Sequence, residues 1–313
     1  MDQKRVLGRL AVLGQAILLA GCASASALTG GSAEGGSSYR VYDVENSRFV
    51  AMSVLAEAAA GADVVFFGEY HDSEGAHQAQ QDFLQLVAES GREAVLGFEM
   101  FERDVQPVLD HYLKDMIDEE AFLASSRPWP NYETDYRPLL EIARRESWTV
   151  VATNLPQALA TRIGREGLGA LNSVPPEQRR MAPDLIECPL DEYWDVFVEA
   201  MTGEDSEESR AAHPTADSAL QNIFQAQCAR DAAMAEAILP FLGAEPLVIH
   251  VNGGFHTDKF LGLTSRVATA RPAAKIVLIS TAGIEDPARP DLAKYLDNGD
   301  YLIVVKESPE NAN

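Results

Sequence analysis

The stretch "VVFFGEYHDSEGAH", Val64 to His77, opens with four apolar residues and then breaks into Gly68, Glu69, Tyr70, His71 and Asp72. An unbroken β-branched and aromatic run bounded by turn residues reads as a strand buried on both faces, which is the mark of a parallel sheet. Residues two apart on a strand point to the same side, so Glu69 and His71 would face a common space just beyond the strand end if the extended geometry continues.

Similar runs recur along the chain. Strands are expected at Asp63–Glu69, Ala94–Met100, Thr149–Asn154, Pro246–Gly253, Lys275–Ser280 and Tyr301–Lys306. Helical patterns separate them: "HQAQQDFLQLVAE" after the first, "DVQPVLDHYLKDM" after the second, "YRPLLEIARRE" before the third, and Asp217–Leu242 before the fourth. This alternation predicts an α/β fold, a central and mostly parallel sheet flanked by helices with right-handed crossovers. The region of about residues 170–216, rich in proline and acids, is expected to form an inserted helical cap ending in an exposed acidic loop.

In an open parallel sheet, ligands bind beyond the carboxyl ends of the strands. That rule gathers Glu69 and His71 from the first strand, Glu99 from the second, Asn154 from the third and His256 after the fourth. Carboxylates beside imidazoles suit two kinds of chemistry. They can ligate a divalent metal, or they can raise an imidazole pKa so that it works as a general base. Each residue alone has an ordinary explanation: a histidine after a strand is commonly a cap, and Glu99 is a candidate ion-pair partner for Arg137. Four polar strand ends on one edge are not needed for sheet stability, and the set together reads as a site. Gly253 and Gly254 would let backbone approach a ligand closely. His77 falls in a helical first turn, where packing explains it, and His111, His213 and His250 carry no informative context. No GxSxG, P-loop, HExxH or dinucleotide GxGxxG pattern is present, which removes the usual serine-hydrolase, nucleotide and zincin readings.

Charge and address narrow the function further. The 313-residue chain carries 48 acidic against 25 basic residues, a formal charge of −23. It has no basic footprint to displace counterions from phosphates, so nucleic acid is not an expected partner. Lys4, Arg5 and Arg9 precede the short apolar segment Leu10–Ala20, which ends in "LAGC", Leu19 to Cys22. The apolar segment is shorter than the ~20 residues of a spanning helix and reads as a signal peptide over residues 1–21. The "LAGC" sequence resembles a bacterial lipobox, which implies cleavage before Cys22 and lipidation of that cysteine. Residues 22–38 are a Gly/Ser-rich tether, and residues 39–313 are the folded domain. Ala23, with no acidic residue after the cysteine, favours the outer membrane, facing the periplasm or the cell surface. The remaining cysteines, Cys188 and Cys228, leave two readings open in an oxidising compartment: a disulfide, or a Cys228 that simply packs in its apolar helix.

The segments "FFGEYHDSEGAHQAQ", "LGFEMFERDVQPVLD", "YRPLLEIAR", "VATNLP", "FQAQCARDAAMAEAI" and "VIHVNGGFHTD" occur in an order that resembles ChaN-like lipoproteins of the haem-binding-uptake and Tiki superfamily. The resemblance runs from about Tyr39 to Leu263. It implies an iron-regulated, haem-binding lipoprotein that dimerises on binding haem, and kinship with Tiki-type metalloproteases and erythromycin-esterase-like hydrolases. On that basis Glu69, His71, Glu99 and His256 match the superfamily's pocket positions, although Phe255 stands where many relatives have a glycine-rich turn. The family ligates haem through tyrosine, for which Tyr70, Tyr132, Tyr136 and Tyr193 are the candidates near the pocket. Two function classes follow: a haem-binding module without turnover, or a metal-dependent or metal-free hydrolase with His71 as base.

Overall fold

The computed structural model describes residues 38–203 and 218–307. Its centre is one eight-stranded sheet: β1 (Tyr39–Asp43), β2 (Arg48–Val50), β3 (Val64–Glu69), β4 (Ala94–Glu102), β5 (Thr149–Asn154), β6 (Leu247–Gly253), β7 (Ile276–Ile284) and β8 (Tyr301–Lys306). The spatial order is β2-β1-β8-β7-β3-β6-β4-β5. The six expected strands are the six parallel ones, running unbroken from β8 to β5. The structure adds β1 and β2, which pair antiparallel with each other and with β8. They are short, and both carry partly exposed residues, so they lack the continuous apolar signal of the interior strands.

The central strands β3, β4 and β6 are covered on both faces, as their apolar runs require. On one face Val65 and Phe67 of β3 join Leu96, Phe98, Ile249 and Val251 beneath the helices Met52–Ala59, Glu74–Glu89 and Arg137–Arg145. On the other, Val64 and Phe66 join Val95, Val248 and Leu278 against Met234, Ile238 and Val267 of the helices Ser218–Ile238 and Gly262–Ala270. Each buried Phe, Leu or Val contributes about 1.5–3 kcal/mol, so this alternation fixes the register of the central strands firmly. The chain crosses from β3 outward to β4 and β5, then returns to insert β6 between β3 and β4. By the switch-point rule, that reversal marks the carboxyl ends of β3, β6 and β4 as the place for a ligand crevice.

The described part of the expected cap, residues 170–203, is helical in pieces, ending in the helix Glu192–Thr202. Tyr193, Trp194 and Phe197 pack on Phe224 of the long helix Ser218–Ile238. The acidic loop, along with Cys22 and the tether through residue 37, lies outside the described residues. Of the two readings for the cysteines, the structure takes the first: Cys188 and Cys228 are joined, with Cα atoms 5.7 Å apart. Closing a loop of 40 residues restricts the unfolded chain by an amount worth about 4 kcal/mol on the chain-entropy account. The bridge pins the 180–191 segment against the helix that carries Asp231.

Candidate functional site

Glu69 is the last residue of β3 and is almost wholly buried. Its Oε1 lies 2.9 Å from His71 Nδ1 and accepts a hydrogen bond from the Tyr136 hydroxyl at 2.7 Å. Its Oε2 accepts from Gln80 Nε2 at 2.5 Å and lies 3.3 Å from His77 Nδ1. His77 Nε2 in turn lies 3.3 Å from Asp135 Oδ2. A chain therefore runs Asp135, His77, Glu69, His71, alternating carboxylate and imidazole. Burial alone would raise the Glu69 pKa, but hydrogen bonds and charge from His71 and His77 hold it below the ordinary carboxylate value. Burial works against His77 protonation, yet Glu69 and Asp135 push its pKa up to about 9, so it is an imidazolium at neutral pH.

A second chain comes from the other face of the sheet. Glu99 continues the alternation that puts Val95 on that face, and the register of β4 with β5 shifts between Phe98 and Glu102. Glu99 Oε2 accepts from the Gly253 backbone N–H at 2.7 Å, and Oε1 lies 3.3 Å from His256 Nε2. His256 Nδ1 is 2.5 Å from Asp231 Oδ1. Burial disfavours the charged form of His256, but the two carboxylates push its pKa up to about 10. Burial would lift Glu99 as well; His256, His71 and the Gly253 N–H hold it far below the usual range.

Gly253 is where the chains meet. A Cβ built on it would stand 2.8 Å from both Cε1 and Nε2 of His71 and 3.6 Å from Glu99 Oε2. The missing side chain is what lets the His71 ring lie across the end of β6 and approach the second chain. His71 is raised in pKa: burial opposes it, but the Glu69 hydrogen bond and the charges of Glu99 and Glu69 outweigh that and the repulsion from His256. Its side chain is 44% exposed, so solvent and ligands reach it, and its ring stands edge-on to Trp129 with centroids 4.8 Å apart.

The structure thus brings Glu69, His71, Glu99 and His256 to one strand edge. Asn154 ends β5 farther along that edge, where its Oδ1 accepts from Arg230 at 2.8 Å. Arg137 does not reach Glu99, because it is paired with Glu119. The four expected metal donors face one another in pairs. Among the described residues, no group of three or more His, Cys, Asp or Glu side chains is arranged to hold a metal ion. His77, Asp135, Asp231 and Arg230 are not expected at the site from the sequence, whereas Tyr136, a candidate ligand there, is found donating to Glu69. The one available signal was "RD", Arg230 and Asp231, two charges inside an otherwise apolar stretch of the long helix. His250, which carried no context, is a buried strand residue whose pKa burial drives down to about 4. It contacts Thr153 and Asn252, and the Asn252 amide donates to Gly253 O and Thr257 Oγ1, bracing the turn that carries His256.

Of the four tyrosines, Tyr136 alone has its hydroxyl placed by a contact beside His71, on the Glu69 oxygen that also holds the His71 ring. Tyr136 donates to Glu69, Tyr193 accepts from Gln227, and Tyr132 is buried among Phe101 and Phe122. Tyr70 packs against Gly283, near Tyr295.

A family model described as "Haem-binding uptake, Tiki superfamily, ChaN" matches residues 55–267. The chain belongs to this family. No curated protein matches it. Among solved structures, ChaN of Campylobacter jejuni, described with cofacial haem binding, is similar at 17% identity and a TM-score of 0.61, covering 86% of this chain and 97% of that one. A Bacillus cereus protein matches at 11% identity and TM-score 0.47 over 82% and 92%. An erythromycin esterase mutant matches at 10% and 0.45 over 86% and 83%. The likeness to ChaN shows the shared fold.

In this ChaN-family chain, Gly253→Ala should displace the His71 imidazole while changing the melting temperature little, because a ring at a half-exposed edge can swing away. The amide and imidazole shifts of His71 in NMR spectra should move well beyond those of its neighbours. An undisturbed His71 in that variant would mean that the ring does not rest on Gly253.

Proposed function

We propose that this protein binds haem at the crevice formed by the ends of β3, β6 and β4, with His71 Nε2 as the iron ligand. The observation that carries the reading is the placement of the His71 ring. Nδ1 lies 2.9 Å from Glu69, so in the neutral ring Nδ1 carries the proton and Nε2 is the free donor, the arrangement usual for a ligating imidazole with a carboxylate behind it. The half-exposed Trp129 beside it offers an aromatic surface for a flat, apolar ring. Membership of the family supports the cargo. Bound haem would supply an iron centre with its own ligand and redox chemistry; the chain contributes the ligand nitrogen, the carboxylate that orients it and the shelter of Trp129. A separate cavity of about 910 Å³, lined by Tyr193 and Arg266, is a poorer home. Asp184, Glu187, Asp191 and Glu236 also line it and would oppose the propionates.

Titration with haemin, followed in the Soret band, tests this reading. His71→Ala should weaken binding at least tenfold, about 1.4 kcal/mol, and alter the Soret maximum, with the melting temperature nearly unchanged. Equal haemin binding in that variant would reject His71 as ligand.

A second reading rests on the same bare nitrogen. With Glu69 behind it and the Glu99–His256–Asp231 chain opposite, His71 is built as a general base for hydrolysis. Ester turnover that His71→Ala abolishes, in a protein indifferent to haemin, would favour it.

We further propose that Cys22 is lipidated, anchoring the domain in the cell envelope, and that haem draws two copies together, since a flat ring exposed on one copy favours cover by another. Cys22→Ser should leave unprocessed precursor, and haemin should raise the sedimentation coefficient of the wild type. Normal processing, or a strictly monomeric haem complex, would defeat the respective claim.

A further inference from the structure

Arg230 stands at the same strand edge, and among the described residues no carboxylate is in contact with it. Its Nη1 donates to Asn154 Oδ1 at 2.8 Å and its Nη2 to Gln157 Oε1, both neutral amide oxygens. The site's other cationic groups are matched differently. His256 lies against Asp231 and Glu99, and His77 against Glu69 and Asp135. The charges of Glu99, Glu102 and Asp231 also reach Arg230, but Glu99 and Asp231 are in contact with His256 and Glu102 with Arg127. Arg103, Arg127, Arg137 and Arg144 each touch a carboxylate. A partly buried guanidinium held by amides alone keeps donors and charge to offer, and its planar fork suits a two-oxygen anion.

A second feature points the same way. Gln157 opens the ten-residue helix Gln157–Glu166, whose N-terminus has no side-chain cap. The first N–H groups of a helix carry partial positive charge and attract anions. The helix start and the Arg230 fork are joined through the Gln157 side chain. Although the whole chain is strongly acidic, each carboxylate in contact with His71, His77 or His256 has a cationic or imidazole partner, which leaves Arg230 unneutralised by contact.

We propose that Arg230, set by Asn154 and Gln157 beside the uncapped helix start, receives an oxyanion of the crevice ligand, a carboxylate or a phosphate. The inference rests on the reading of the strand edge as a ligand site and names the part of the ligand that it recognises. In haem that group is a propionate. Arg230 is a binding residue; nothing in this assignment requires it to take part in chemistry.

The experiment compares haemin with haemin dimethyl ester, which lacks the free carboxylates, on the full chain and on Arg230→Gln and Arg230→Lys. In parallel, inorganic phosphate is titrated while the Arg230 Nε–H signal is followed by NMR. Haemin should bind the wild type about tenfold more tightly than the ester, the worth of one charge-assisted contact. Arg230→Gln should erase the preference, Arg230→Lys should keep part of it, and phosphate should shift the Arg230 signal. Should Arg230→Gln fail to fold, the wild-type preference and the phosphate shift decide the matter. Failure of haemin to bind at all, with a phosphate shift at Arg230, would reject the haem reading and support the oxyanion site. Equal affinity for acid and ester with no phosphate response, or a preference that survives in Arg230→Gln, would overturn the inference.

Discussion

The parallel pairing of β3 with β6, in the register that sets Glu69 opposite Gly253, is the contact on which the rest of the site depends. A slip by one residue would put Asn252 or Gly254 opposite Glu69 and turn every buried side chain of β6 to the wrong face. In the observed register Glu69 rises on one face, Glu99 on the other, and the residue between them has no side chain. His71 can then lean across the sheet edge. The apolar runs of the central strands stabilise the sheet, and that stability holds the register against the cost of the polar ends.

That cost is considerable. A carboxylate removed from water without a partner loses several kcal/mol of hydration. Glu69 offsets this with four contacts, to His71, His77, Gln80 and Tyr136, and Glu99 with His256 and a backbone N–H. The carboxylates beside them raise the pKa values of His71, His77 and His256. The outcome is a rigid polar cluster whose outer member, His71, alone combines a half-exposed ring with a place at the meeting point. Such a cluster can fix a ligand nitrogen or a base in one orientation. Both functional readings need that orientation, which is why they share a residue and differ in cargo.

Much of this was legible in the sequence. The six parallel strands announce themselves as apolar runs, and the strand-end rule collects Glu69, His71, Glu99 and His256 without a structure. The rest was hidden for particular reasons. β1 and β2 are short and half-exposed. His77 is seven positions from Tyr70 and on a helix, so nothing in its spacing tells that the helix folds it back onto Glu69. Asp231 and Arg230 lie far along the chain and approach the edge only because the Ser218–Ile238 helix packs on the opposite face. Glu99 was given an arginine partner by charge alone, whereas the nearer contact is a histidine delivered by a turn. The cysteine pairing turns on how the 180–191 segment folds back, which no local pattern encodes.

The central claim is that His71 and Glu99, arriving from opposite faces of the sheet without a direct hydrogen bond, form one electrostatic unit. The most direct test is the pKa of His71, measured by ¹⁵N-imidazole NMR in the wild type and in Glu99→Gln. The Glu99 charge favours protonated His71, so its removal should lower the His71 pKa even though Glu69 remains in place. A His71 pKa that does not change in Glu99→Gln would show that the two chains are separate, and the single-site account would fail.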